Sequence, residues 1–472
     1  MRSTLATHLT LLTLALLPAL RTSAADPTRI TIQPTIVTQE FQGMGVGVQF
    51  YEGHITSLAA RNKDDLQRKL YDDMFAAFPT RYLHLMIRPD HEPADTAGDP
   101  WNPKFDEKDF AYCKHTLAIA KAARERRPDI EFLATLSTPP AWMKTNNSVN
   151  GGGKAKGTLK PGLELKFAAY LWGFLAHMAR NGAPVQYLSI ANECDWPHDQ
   201  PGCFFTPDAY ASLFAVVGDY LEKMAVKFPD VPRATLVGPN TLSAPDAVKN
   251  YIPAMQRKAA RFVQVLAAHD YDPRGDRWGD LRRIARSRPV WMTEWCARDK
   301  DDSPGQINNG TEYARYMHEA FTGGANVWMA YDWVYPPRNS GEALIHVNWG
   351  NDYTLTKPYW VFRQWATPLV PGMHVVQANT AGPRQTADTG AKPTSFLSKD
   401  GRTLVVHVVN LSNTETSITL QINNLPAPKP ATRHRTSATQ DMEELPPLAP
   451  ATGRYSDQLP SRSLTTYQVQ LK

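Results

Sequence analysis

Between positions 41 and 331 the chain alternates two kinds of apolar pattern. Short runs rich in β-branched, aromatic and aliphatic residues occur at 41–50, 82–88, 130–137, 187–192, 234–239, 263–269, 290–293 and 325–331. Their length and nearly continuous apolarity fit strands buried on both faces. Between them, 63–78, 106–126, 163–181, 207–227 and 312–322 place apolar residues at helical spacing. Gly182 followed by Pro184 closes one helix, and Thr206-Pro207 opens another. Eight strands alternating with helices predict an α/β fold, a closed (β/α)8 TIM barrel, over the alternative of an open doubly wound sheet.

The period changes after Pro371-Gly372. Runs at 395–398, 403–410, 417–422 and 463–471 alternate with a period of two and are separated by turns such as Lys399-Asp400-Gly401. They predict an attached antiparallel β-sandwich of roughly one hundred residues. The Pro-rich stretch 425–450 reads as a long surface loop within it. An early run at 29–37 is placed to add a strand to the same sandwich. The expected organisation is therefore a signal segment at 1–25, a strand joining the sandwich at 26–40, a barrel at 41–368 and a sandwich at 369–472.

The first 25 residues change the picture of where the protein works. Arg2 supplies a positive start, Leu9 to Leu20 an apolar stretch too short for the ~20 residues of a membrane span, and Ser23-Ala24-Ala25 small residues for cleavage. Export is the expectation, secreted or periplasmic, without stable membrane insertion. Net charge is +5 for the whole chain, and +3 once Arg2 and Arg21 leave with the signal. With no dense basic run, nucleic acid is not an expected partner. Among the four cysteines, Cys194 and Cys203 are the best pairing candidates, and Cys113 reads as a buried free thiol.

Two strand candidates end in carboxylates: Ser189-Ile190-Ala191-Asn192-Glu193 and Trp291-Met292-Thr293-Glu294-Trp295. The glutamates are 101 positions apart (294 − 193), which fits three strand–helix units of roughly 30 residues or more. A parallel barrel brings such strand-end groups to one rim, and paired carboxylates are what glycosidic bond cleavage needs. One must be protonated to give a proton to the leaving oxygen; the other must be ionised to attack the sugar carbon. Glu193, with Asn192 before it and Trp196 soon after, suits the acid. Glu294 needs hydrogen bonds or a positive neighbour, for which Tyr271 and Arg88 are the strand-end candidates. No His/Cys/Asp cluster shows metal-ligand spacing, and the chemistry requires no cofactor.

These residues resemble glycoside hydrolase family 30. The similarity lies in Ser137-Thr138-Pro139-Pro140-Ala141-Trp142-Met143-Lys144-Thr145-Asn146, Gly151-Gly152-Gly153 and Leu159-Lys160-Pro161. It extends to the opening Phe41-Gln42-Gly43-Met44-Gly45 and the Pro371-Gly372 junction. The resemblance implies retention by double displacement, with Glu193 as acid/base, Glu294 as nucleophile and Asn192 on the sugar 2-hydroxyl. Trp142 and Trp333 read either as pocket walls or as rim packing, and His269 as an orienting group or an ordinary rim histidine. Cys194 stands where many members carry Pro. In Pro89-Asp90-His91-Glu92-Pro93, Asp90 and Glu92 are candidates to bind the non-reducing sugar.

The expected partner is an oligosaccharide, polysaccharide or β-glycoside: a glucan, a xylan or a β-glucoside. Exo and endo action stay open. The competing class is a carbohydrate-binding protein without catalysis on the same scaffold, although such a site usually loses a carboxylate. A structural cell-surface protein would have no pocket.

Overall fold

The computed structural model describes residues 26–471 except 273, 298–305, 383–384 and 425–428. The segment read as a signal lies outside the described residues. Strand β1 (Thr28–Glu40) precedes a barrel of β2 (Gly43–Val48), β3 (Tyr82–Ile87), β4 (Glu131–Leu136), β5 (Tyr187–Ser189), β6 (Thr235–Thr241), β7 (Val265–Ala268), β8 (Val290–Met292) and β9 (Val327–Ala330). These eight strands pair in parallel in chain order, and β9 closes on β2. Helices wrap the outside. The longest, Pro207–Lys227, begins where the Thr206 hydroxyl accepts from the amide of Ala209 and Pro207 fills a position with no amide to satisfy. Helix Glu164–Arg180 stops at Gly182, whose φ of +85° suits a residue without a Cβ and lets Ala183 bond back to the Met178 carbonyl at 2.9 Å.

Inside the barrel the period of two sorts the side chains into layers. Tyr82, Leu133, Val237, Val265, Trp291 and Val327 form an apolar plug at one level, with Trp291 ring-to-ring on Tyr82 and Tyr187 at 4.8 and 4.7 Å. Two residues further along the chain from Tyr82, Leu133 and Trp291 stand His84, Thr135 and Thr293, all buried. These strands thus change from apolar to polar as they near their C-terminal ends. That end of the barrel carries the site.

After β9 come a small sheet of β10 (Asp332–Tyr335), β11 (Ala343–Asn348) and β12 (Asp352–Leu355), then helix Lys357–Ala366. The remainder is β13 (His374–Ala381), β14 (Ala391–Leu397), β15 (Thr403–Asn410), β16 (Thr416–Ile422), β17 (Ala431–Thr436), β18 (Glu443–Leu448), β19 (Arg454–Leu459) and β20 (Ser463–Gln470). With β1 they make a nine-stranded sheet in the order β18-β17-β20-β15-β14-β13-β1-β16-β19. Ile30, Leu404, Val406, Leu420, Tyr455 and Tyr467 form its own core. The alternate positions of β15, Val405 and Val409, turn to the opposite face and join the core of the barrel. Pairing is antiparallel except between β1 and β16.

The stretch 425–450 is not one surface loop. Its described part forms the β17–β18 hairpin, pairing Ala431 with Leu448 and Arg435 with Glu443. Pro446 and Pro447 are tolerated because β18 is an edge strand, where a missing amide breaks no interior ladder. Against the barrel, Trp365 stacks on His407 at 4.4 Å, and Phe41 meets Phe396 edge-on at 5.5 Å. All four cysteines are buried and none is in a disulfide; Cys194 packs its sulfur 3.8 Å from the Pro239 carbonyl instead of pairing with Cys203. Among the described residues, no helix is long and apolar enough to cross a membrane.

Candidate active site

Glu193 follows β5, the fourth barrel strand, and Glu294 follows β8, the seventh. Both carboxylates are buried. Glu193 has a φ of +44°, which costs a non-glycine residue about 1–3 kcal/mol. The turn is held by bonds from the Asn192 amide to Leu136 O and from the Glu193 amide to Asn240 O, both 2.9 Å. Asp195 ties the same loop to the one after β6 by accepting from the Leu242 amide at 2.9 Å. Burial, with Asp246 and Glu193 nearby, pushes the Asp195 carboxyl up to about 8.

His269, just past β7, joins the two glutamates. Its Nδ1 is 3.0 Å from Glu193 Oε1 and 3.7 Å from Glu294 Oε1. One donor atom from each of the three residues lies within 4.8 Å of the others. Tyr271 donates its hydroxyl to Glu294 Oε1 at 3.1 Å. Burial is the largest influence on Glu294 and raises its pKa; His269 pulls it back, Glu193 pushes it up, and hydrogen bonds from Gln49 and Tyr271 favour the anion. Glu294 Oε2 and Asn192 Oδ1 are buried with no hydrogen-bond partner among the described residues.

Below the carboxylates the polar layer locks together. His84 Nε2 is 2.7 Å from Thr135 Oγ1, and its Nδ1 is 3.2 Å from both Gln49 Nε2 and Thr293 O. The Thr293 hydroxyl donates to Asn240 Oδ1 at 2.8 Å. Burial pushes His84 down to about 3, so it is a neutral positioning group. Gln49, His84, Thr135, Asn240 and Thr293 were not singled out in the sequence. Polar residues at inward positions of otherwise apolar strands were the available signal.

Above them opens a cavity of about 440 Å³. Asn192, Tyr271, Trp196, Phe50, Tyr331 and Tyr335 are among its lining, together with both glutamates. Trp196 and the tyrosines of the β9–β10 region were not expected as walls. The loop bearing Trp196 is braced by the segment 141–160. Gly151 donates to Gln200 O at 2.8 Å, and a Cβ there would stand 2.4 Å from His198 O. The Lys144 ammonium reaches the carbonyls of Val149 and Asn150 at 3.0 and 2.6 Å, and that of Gly202 as well.

Several expected contacts fall elsewhere. Arg88 does not accompany Glu294; its guanidinium pairs with Glu52 at 2.7 Å, because the loop after β2 brings that buried carboxylate closer. Trp333 is fully buried and packs edge-on against Phe75 and Phe78 at 6.0 and 5.1 Å, because alternation on β10 turns it into the outer core. Trp142 is half-buried and gives its indole N–H to Glu92 O at 2.9 Å, bracing two loops instead of walling the cavity. Glu92 itself turns inward to accept from the Ala97 amide at 3.0 Å. Asp90 is exposed near Arg88, outside the lining of the cavity.

The Glu193–His269–Glu294 group is also the one set of donors, among the described residues, close enough to hold a metal ion. Chain spacing could not reveal it, since the three come from different strands. The same distances suit a hydrogen-bonded acid, base and histidine.

Comparison with known proteins adds sequence and fold relatives. The family model described as the glycosyl hydrolase family 30 TIM-barrel domain matches residues 95–212. Endo-1,6-beta-D-glucanase neg1 of Aspergillus fumigatus is 23% identical over 420 residues, covering 80% of each chain. Glucuronoxylanase XynC of Bacillus subtilis is 21% identical over 334 residues, 70% of this chain and 72% of its own. The solved family 30 subfamily 8 xylanase Xyn30A of Clostridium acetobutylicum superposes with a TM-score of 0.68 at 22% identity, over 94% of this chain and 99% of the other.

Proposed function

From a chain that is a glycoside hydrolase with the barrel of family 30, we infer a retaining mechanism acting on β-glycosidic bonds of a glucan or xylan. The observation that carries it is the approach of two buried carboxylates, with oxygens within 4.8 Å, at the C-terminal mouth of the barrel. Retaining enzymes hold their carboxyl groups about 5–5.5 Å apart, whereas inverting ones leave about 6.5–9.5 Å for a water.

Glu294 attacks the anomeric carbon with Oε2, the oxygen left without a partner, while Tyr271 holds Oε1. Glu193 gives its proton to the departing glycosidic oxygen as the carbon–oxygen bond breaks. The resulting ester is opened by water, whose proton returns to Glu193. His269 sits within reach of both carboxylates and steadies the charge as it passes between them. Asn192 offers its unpartnered Oδ1 to a sugar hydroxyl, a bond that strengthens as positive charge grows on the ring.

The named relatives act on β-1,6-glucan and glucuronoxylan, which supports a β-linked, equatorially bonded polysaccharide substrate. The residue pattern of 1–25 supports export to meet it. Incubation with β-1,6-glucan, β-1,3-glucan and xylan, followed by NMR of the first product formed, tests the reading. A β-configured product is expected; an α-anomer formed first overturns the double displacement, and no cleavage of any β-glycan overturns the hydrolase assignment.

A further inference from the structure

A second cavity, of about 520 Å³, adjoins the first. The loop after β2, the segment leading into helix Lys114–Arg126 and the β11–β12 turn enclose it, through Phe50, Tyr112, Trp349, His54 and His115. Phe50 and Tyr51 line both cavities, so the two form one continuous trough on the C-terminal face. The exposed large aromatics among the described residues are Phe50 at 40%, Tyr112 at 44%, Trp196 at 39% and Trp349 at 50%. Three line the second cavity and Trp196 lines the first, so these side chains mark the trough from end to end.

The aromatic faces are braced although exposed. His54 meets Trp349 edge-on at 4.6 Å. The Arg88 guanidinium, fixed by Glu52, lies 4.6 Å from the Tyr112 ring and 5.7 Å from that of Phe50. Burial lowers the pKa of His54 and His115, leaving neutral imidazoles; His115 bonds the Thr56 hydroxyl through Nδ1 at 2.7 Å, which leaves its Nε2 for a ligand. Fixed aromatic faces beside neutral hydrogen-bonding groups match a pyranose ring, which has C–H faces and a hydroxyl edge. Lys114 adds a charge at the mouth, and Glu52 is compensated by Arg88.

We propose that this cavity is a distal sugar subsite holding units of the same β-linked glycan chain whose bond is cut beside Glu193 and Glu294, so that the enzyme acts within chains. The proposal rests on the glycosidase reading above. Its test is a set of kcat/KM values for Trp349→Ala, Tyr112→Ala and Trp349→Phe on an aryl β-glycoside and on β-linked oligosaccharides of increasing length, with unfolding curves to verify folding. For the two alanine variants, kcat/KM on the longest oligosaccharide should fall about tenfold more than on the aryl glycoside, mainly through KM, with Trp349→Phe retaining most of the difference. An equal change at every length overturns the subsite. Calorimetric titration of a long oligosaccharide into the Glu294→Gln protein, with and without Trp349→Ala, separates the two claims. Weakened binding supports the subsite even if the wild type cleaves nothing, and unchanged or absent binding refutes it.

Discussion

Two largely enclosed carboxylates, Asp457 in the nine-stranded sheet and Glu294 in the barrel, show opposite solutions to the same physical problem. Their side chains are 9% and 5% exposed. Asp457 accepts from Arg433 at 2.9 Å, Arg435 at 3.1 Å and the Tyr467 hydroxyl at 2.7 Å. Both of its oxygens are used, and two guanidinium groups offset its charge. Among the described residues, Glu294 has Tyr271 and, at 3.7 Å, His269 on one oxygen, none on the other, no guanidinium to offset its charge, and a second carboxylate within 4.8 Å. A fully compensated carboxylate holds strands together. An undercompensated one stays available for a reacting carbon, at the cost of a raised pKa.

The contrast breaks most sharply under isosteric neutralisation. Glu294→Gln should reduce kcat on an aryl glycoside by about 10⁴-fold or more with its unfolding midpoint nearly unchanged. Asp457→Asn should leave kcat/KM within about twofold. Substantial activity in Glu294→Gln would remove the nucleophile assignment. Glu193→Gln should lose about 10²–10⁴-fold on substrates with poor leaving groups, and much less on an activated dinitrophenyl glycoside that departs without a proton. Equal losses on both would show that Glu193 acts by other means.

Stability should answer the other way. Asp457→Ala strands the buried Arg435 and the half-buried Arg433 and should cost about 3 kcal/mol, read from denaturant unfolding; a cost below about 1 kcal/mol would mean that the sheet does not depend on this cluster. A smaller effect concerns pH. In the proposed mechanism Glu294 must be ionised to attack, and its pKa is raised above 4.5, so kcat/KM should fall as pH drops through that raised value. Tyr271→Phe removes a bond to the anion and should move this acid limb to higher pH, with most activity recovered above it. A limb that stays put would place the ionisation elsewhere. The least effect is expected from EDTA: unchanged activity fits a hydrogen-bonded Glu193–His269–Glu294 group, and loss restored by one divalent ion would make it a metal centre.

Periodicity made the barrel legible, because strands buried on two faces and helices buried on one leave different spacings. The carboxylates were legible because each ends such a strand, and the Tyr271 contact because Tyr271 follows the strand next to the one that ends in Glu294. The hairpin at β17–β18 was not, since Pro446 and Pro447 disguise an edge strand that needs few ladder bonds. Arg88 was misdirected for a related reason: a strand-end position fixes the rim but not which of several rim carboxylates lies nearest.

The alternation of elements, the barrel they close into and the two glutamates at one end thus follow from the order of residues alone, since short-range burial patterns suffice for these. What those glutamates meet was set only by folding. It placed His269 between them, built the layer of Gln49, His84, Thr135, Asn240 and Thr293 beneath them, and aligned Trp196, Phe50, Tyr112 and Trp349 along one trough. Those neighbours come from loops far apart in the chain, and only closure of the barrel fixes their distances.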